Sequence, residues 1–319
     1  MIPVVSFEAG DRVLDWLSVA RAIEAGHRLP PPILEDVILR RGPDTLLNRS
    51  AWIDGLGLAV KAATIFPGNA ARGEPTIGGA VSLMSDRDGS LEAILDFHLV
   101  TKWKTAGDSL LGALRLARPD SREVLVVGSG TVARSLLDAY AAGFPGARFA
   151  VWSRTRASAE RLAAGVPGVA AADDLETAVR RADIVACATM ATEPLIRGAW
   201  LRPGTHLDLI GAYRPDMREA DDEAVARSRV FCDSRRTAGE TGELSAPKAS
   251  GALREVVADL YEPERMRRGS PEEITLYKNG GGAHLDLMVG RHILEAWTRA
   301  TPAPPAAAPL PGSAGAPPR

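Results

Sequence analysis

The sequence predicts an α/β protein whose second half is a doubly wound parallel sheet, and three observations predict it. From Ser121 onward, short apolar runs alternate with amphipathic stretches, the rhythm of strand–helix–strand units. One of those runs, VLVVG, ends in a glycine pattern that opens a helix. Before residue 118 the texture differs, with a series of extended segments set between two helical ones. The expectation is therefore two units. Residues 1–117 form an α+β unit completed by a C-terminal helix at 275–299, and residues 118–274 form the parallel sheet.

Bulk properties agree. A chain of 319 residues suggests about two domains and is long enough to bury a large core without staples. With 45% apolar residues and a formal charge of -2, nothing favours nucleic acid or an anionic membrane as partner. Cys187 and Cys232 lie in the apolar runs DIVACAT and RVFCDS, where a reduced packing cysteine sits, and no Cys/His spacing suits a metal. The start MIPVVSFEAGDRVLDW lacks the basic opening and long apolar core of a signal peptide, and no run is long enough to span a bilayer; a cytoplasmic location is expected.

In order along the chain, DRVLDWLSVARAIEAGHR carries Val13, Leu14, Leu17, Val19, Ala20 and Ile23 at helical spacing. Five strands are expected next: ILEDVILR, TLLNRSAWI, LGLAVKAATIF, GAVSLMSD and LEAILDFHLV. DRDGS joins the last two as a hairpin turn. KWKTAGDSLLGALRLA, from Lys102, reads as a helix with Trp103, Ala106, Leu110, Leu114 and Ala117 on one stripe. The parallel sheet is expected from EVLVVG, RFAVWSR, ADIVACAT, THLDLIG and RVFCDS, all short and apolar as strands covered on both faces are. ITLYKNGGGAHLDLMVGRHILEAWTRA reads as a loop feeding a helix. The Pro/Ala/Gly-rich end, 300–319, has almost nothing to bury and is expected to be disordered.

Gly128-Ser129-Gly130-Thr131-Val132-Ala133 follows a strand and opens a helix, the setting in which a G-x-G-x-x-A pattern signals a Rossmann-type dinucleotide site. The first glycine permits the tight turn, the second lets a pyrophosphate approach, and Ala133 packs the helix close; the helix start offers free N–H groups to the phosphate. At the end of the next strand an NAD-selective site carries a carboxylate for the ribose hydroxyl. Here Ser153, Arg154 and Thr155 stand instead, a guanidinium between two hydroxyls, which points to NADPH, with NADH possible. Thr189 and Met190 follow a later strand on the ligand-bearing edge and are expected at the cofactor.

Lys61 stands alone in the apolar segment GLGLAVKAATIF. A solvated strand lysine and a substrate anchor both fit that pattern. His284 and Asp286 lie two apart on a helix and do not face each other, so they are not expected to act as a pair. MREADD, at 217–222, is expected to cap and charge a helix. No histidine spacing suggests a metal.

Taken together, VKAATIFPGN, LVTKWKTAGDSLLGA, VVGSGTVA, VWSRT, ACATMA, DLIGAYRPDMREADD and ITLYKNGGGAHLDL resemble the ornithine cyclodeaminase/mu-crystallin family over about residues 1–298. The wording is most like its bacterial Δ1-pyrroline-2-carboxylate (ketimine) reductases. The resemblance implies a homodimer, with a dimerisation and substrate domain beside a Rossmann domain, and a nicotinamide cofactor acting on a small cyclic imino acid. It implies that Lys61 lies near the substrate carboxylate and the nicotinamide, and that Asn279 approaches the nicotinamide. Two positions depart from the pattern. Tyr213 stands where cyclodeaminases carry an aspartate, and a phenol does not do a carboxylate's work at neutral pH. Lys104 stands where the family carries an arginine, and Arg49 is expected to supply a missing positive charge. These features imply an NADPH-dependent ketimine reductase of proline metabolism, with Lys61 catalytic and Lys61, Lys104, Arg49 and Tyr213 around the substrate. A cyclodeaminase-type lyase and a cofactor-regulated small-molecule binding protein are the alternatives.

Overall fold

The computed structural model describes residues 2–301; the expected disordered tail lies, from residue 302 on, outside the described residues. Two sheets organise the chain.

The first is built from β1 (Val4–Val5), β2 (Ile33–Arg41), β3 (Asp44–Ile53), β4 (Gly57–Ile65), β5 (Ile77–Met84) and β6 (Leu91–Asp96). Their spatial order is β1-β6-β5-β4-β3-β2, an antiparallel meander with β1 added in parallel beside β6. Along β4 burial alternates with period two, so Ala59, Lys61 and Ala63 face inward together. Two helices precede β2: α1 (Phe7–Asp11) and α2 (Trp16–Gly26), the latter capped by Asp15. The expected helix in this region begins later than DRVLDW suggested, and Leu17 lies exposed.

The helix after β6 starts earlier than expected. Asp96 accepts from the Leu99 N–H at 2.8 Å, and α3 runs Phe97–Leu116, taking FHLV from the strand. Leu114, assigned to the buried stripe, is exposed.

The second sheet contains β7 (Glu123–Val127), β8 (Arg148–Trp152), β9 (Val169–Ala171), β10 (Ile184–Cys187), β11 (His206–Leu209), β12 (Ser228–Cys232), β13 (Val256–Asp259) and β14 (Ile274–Lys278). All are parallel, in the order β13-β12-β14-β11-β10-β7-β8-β9. Helices α4 (Thr131–Gly143), α5 (Arg156–Ala164), α6 (Leu175–Arg181), α7 (Asp222–Arg227), α8 (Arg235–Ala238) and α9 (Gly242–Ser250) lie along its connections. The chain leaves β7 toward β8 on one side and returns through β10 on the other, so the crevice between β7 and β10 is the switch point where doubly wound sheets bind ligands.

β9 and β13 were not anticipated, and β14 corrects the sequence reading outright. ITLYK is a fully buried strand between β11 and β12, not a loop. Strands buried on both faces lose the alternation that would reveal them. The boundary expected at 274/275 therefore falls after Lys278. The last helix, α10 (Ala283–Ala300), returns to the first unit and packs on α2, α3, β3, β4 and β5. Both cysteines are free and buried, as expected.

Candidate active site

The dinucleotide cradle is built at the end of β7. Gly128 has φ +127 and its N–H donates to the Trp152 carbonyl at 2.8 Å; a Cβ there would lie 2.5 Å from the Ala188 carbonyl oxygen. Glycine is thus required by conformation and by space. Ser129 and Ser153 hydroxyls meet at 3.0 Å, tying the cradle to the end of β8. Gly130 heads α4 without a side-chain cap, and a Cβ on it would touch nothing within 4 Å. The first-turn N–H groups of α4, at Thr131 and Val132, therefore carry no competing cap, an arrangement that fits a pyrophosphate. Ala133 is fully buried against the strand.

At the end of β8, Arg154 is exposed and has no carboxylate partner among the described residues, whereas Arg156 is engaged by Glu160 and Asp173. Thr155 sits at the start of α5. Beyond β10, the Thr189 N–H and hydroxyl both donate to Glu219 Oε1, at 2.6 and 2.9 Å, and Gly211 N–H donates to Glu219 Oε2 at 2.7 Å. The Thr189 N–H is therefore committed within the protein, and Met190 is exposed. Within MREADD, Asp221 caps α7 as expected, but Glu219 is buried and clamps the two loops that follow β10 and β11. Burial raises the Glu219 pKa; Lys278 and the Thr189 donors oppose it. Glu243, pushed up to about 7 by burial with Glu219 adding, accepts from the Glu219 and Ala220 N–H groups at 2.7 and 3.1 Å.

The second half of the site is a charge cluster. Strand register places Asp36, Arg49 and Lys61 opposite one another on successive strands, hence on one face. Lys61 is only 6% exposed. Its Nζ donates to Asp286 Oδ1 at 3.1 Å and Thr101 Oγ1 at 3.0 Å, and lies 4.6 Å from the centre of the Phe97 ring. Lys104, 7% exposed, approaches the same Asp286 Oδ1 at 3.2 Å and donates to the Gly282 carbonyl at 3.3 Å. Burial pushes the Lys104 amine down to about 8, with Lys61 and Arg49 adding and Asp286 opposing. For Asp286, which is 0% exposed, burial favours the neutral acid, but Lys104, Lys61 and Arg49 outweigh it and hold the carboxyl below its ordinary value.

Arg49 forms a two-nitrogen pair with Asp36, at 2.9 and 2.8 Å, on the wall of a cleft of about 230 Å³ shared with Arg236, Glu240 and Gly282. Two buried lysines against one buried aspartate leave this inner cluster one positive charge in excess; the outer charges of the cleft, Arg49 and Arg236 against Glu35, Asp36 and Glu240, lie outside it. Tyr213 is 58% exposed, beside the Arg214 guanidinium.

Asn279 spends its side-chain nitrogen on α3, donating to the Thr105 carbonyl at 3.0 Å and Ser109 Oγ at 3.1 Å. Asp233 accepts from the N–H groups of Gly280 and Gly281, at 3.0 and 2.7 Å, and shapes that loop. Lys278, fully buried, donates to the Leu209 and Ile210 carbonyls at 3.0 and 3.3 Å. Asp286, Glu219, Asp233 and Lys278 were not read from the sequence as site residues. Two signals were present: MREADD, a run of charge next to an apolar strand, and Asp286, weighed only as a partner of His284 and set aside.

A glycine cradle at the switch point of a parallel sheet, together with a buried and net-positive inner cluster, defines a nicotinamide-dependent oxidoreductase. The model of the ornithine cyclodeaminase/mu-crystallin family matches residues 53–301, and the chain belongs to that family. It is 53% identical over 291 residues to a Δ1-pyrroline-2-carboxylate reductase of Paracoccus denitrificans, covering 88% of this chain and 92% of that one. It is 32% identical over 245 residues to the ketimine reductase mu-crystallin of Rattus norvegicus, covering 76% of each. The structure of Thermococcus litoralis Δ1-pyrroline-2-carboxylate reductase in complex with NADH and L-proline shares the fold, with a TM-score of 0.85 at 24% identity over 94% of this chain and 98% of the other.

Proposed function

We propose that the protein is an NADPH-dependent ketimine reductase that reduces the C=N bond of cyclic 2-imino acids, with Δ1-pyrroline-2-carboxylate giving L-proline. The six-membered homologue, giving pipecolate, is the second substrate of the same class. The observation that carries the reading is the unbalanced charge of the inner cluster: Lys61 and Lys104 share a single oxygen of Asp286. An anionic ring carboxylate completes that arrangement, and a buried site makes the attraction strong.

Lys61, fixed by Thr101, Asp286 and the Phe97 ring, holds the carboxylate and orients the ring. Arg49 lines the entrance, held by Asp36. Lys104, with its amine near 8, gives a proton from Nζ to the imine nitrogen, since an acid works best when its pKa lies near the working pH. Gly128–Val132 would hold the pyrophosphate of the dinucleotide, whose reduced nicotinamide would supply the hydride when bound. Ser153, Arg154, which has no carboxylate partner among the described residues, and Thr155 would hold the 2′-phosphate of NADPH. The names borne by the Paracoccus and rat relatives support the same chemistry.

Purified protein given Δ1-pyrroline-2-carboxylate should oxidise NADPH and form L-proline, faster than with NADH. A panel of five- and six-membered imines sets the ring size. Ammonia release from ornithine without net NADPH oxidation would replace this reading with a lyase, and cofactor binding without turnover on any cyclic imine would replace it with a binding protein.

A further inference from the structure

We propose that the buried ring cluster of His27, Tyr261 and His284 is a water-bearing relay that returns a proton to Lys104 after each turnover. This rests on the reductase reading above. The three rings gather tightly: His27 lies 4.6 Å from Tyr261 and 5.5 Å from His284, and Tyr261 lies 6.4 Å from His284, centre to centre. Among the described residues, four of their polar atoms have no protein partner: His27 Nε2, Tyr261 Oη and both nitrogens of His284. His284 is fully buried and His27 nearly so, while Tyr261 is part-exposed. A buried polar atom left unpaired costs about 1–3 kcal/mol, so four in one cluster point to internal water with several partners.

The chemistry of each ring assigns a role. His27 Nδ1 faces the Ile23 carbonyl at 2.8 Å, which only accepts, so Nδ1 carries the hydrogen and Nε2 is left as an acceptor that orients water. His284 has both ring nitrogens uncommitted, and a neutral imidazole takes a hydrogen at one nitrogen while giving one at the other. Burial keeps both imidazoles neutral, with His27 pushed down to about 4 and His284 well below its ordinary value. Tyr261, part-exposed as a residue although its Oη is buried, lies at the outer end of the cluster.

The inner end meets the active site at Gly282. Its carbonyl accepts from Lys104 Nζ at 3.3 Å, while a Cβ on the same residue would stand 2.6 Å from His284 Nδ1. Lys104 and His284 therefore flank one glycine. Each turnover joins a cyclic imine, a hydride from reduced nicotinamide and one proton. An N–H bond of Lys104 breaks, an N–H bond of the product amine forms, and Lys104 is left as a neutral amine. The relay gives the almost fully buried Lys104 a route by which its proton returns from bulk water, past Tyr261 and across His284.

His284→Ala tests this. Stopped-flow mixing should show a first turnover within about twofold of the wild type, steady-state kcat reduced about tenfold, and partial recovery on adding imidazole. In the cofactor-free wild type, NMR should show exchange of magnetisation between water and the His284 ring hydrogens. Tyr261→Phe, which keeps the ring, serves if His284→Ala does not fold, and should show the same split between first and later turnovers. Equal loss in both phases, unchanged steady-state kcat, or a dry His284 ring would each overturn the relay. Absence of any turnover in the wild type would instead defeat the reductase reading.

Discussion

Lys61 and Lys104 converge on one oxygen of Asp286, so each side chain depends on the other two. Lys61→Ala should lower kcat/KM by about 10²–10³, the scale of losing one pre-organised charge at a reacting centre, with the fold intact by circular dichroism. Asp286→Ala leaves two buried ammonium groups unopposed and should cost about 3–5 kcal/mol in urea unfolding. The pH response follows from Lys104. Its amine titrates near 8 in the folded protein and at 10.5 without perturbation. As proton donor it should make kcat fall above about pH 8, and Lys104→Arg, whose guanidinium does not give up its proton, should lower kcat and leave a residual rate without that alkaline limb. For stability the sign is opposite: between about 8 and 10.5 the unfolded chain holds a proton that the folded one has lost, so this group favours folding more as pH rises. Lys61 was legible as unusual because it interrupts an apolar, period-two segment. Its partner was not, because Asp286 lies 225 residues away and nothing local ties them.

At the scale of elements, the glycine cradle was readable because its strand, turn and helix are contiguous. β14 was hidden for the converse reason: its identity as a strand comes from β11 and β12 on either side. The start of α3 was misplaced because Asp96 reads equally well as a strand residue and as a cap. Two outcomes follow for the cradle. Gly128→Ala forces a Cβ into the Ala188 carbonyl at positive φ and should abolish the thermal shift given by NADP⁺. Arg154→Ala should weaken NADPH about tenfold, near 1.4 kcal/mol, and leave NADH affinity unchanged in parallel titrations.

For the whole molecule, the outer strand β2 is the conspicuous feature. Ile33, Val37, Ile38 and Leu39 are exposed along it, with Leu39 at 57%, on a sheet edge where no further strand pairs among the described residues. Exposed apolar edges of this kind call for cover, and we infer a second copy of the chain, as the family resemblance implies. Light scattering should give the mass of a homodimer, and Leu39→Lys should shift it toward monomer. This surface was legible only in part: ILEDVILR reads as a strand, but which strand lies outermost depends on the order of the whole sheet.

The passage of the backbone between the two sheets has a mechanical consequence. It crosses once after Leu116, where α3 gives way to β7, and again at Asn279–Gly282, where β14 gives way to α10. The dinucleotide unit is thus stitched to its neighbour at both ends, like a door on two pins. Two connections of this kind favour rotation about the line through them over sliding along the crevice. Rotation about that line would open and close the crevice, with Asp233 and Asn279 bracing the second pin.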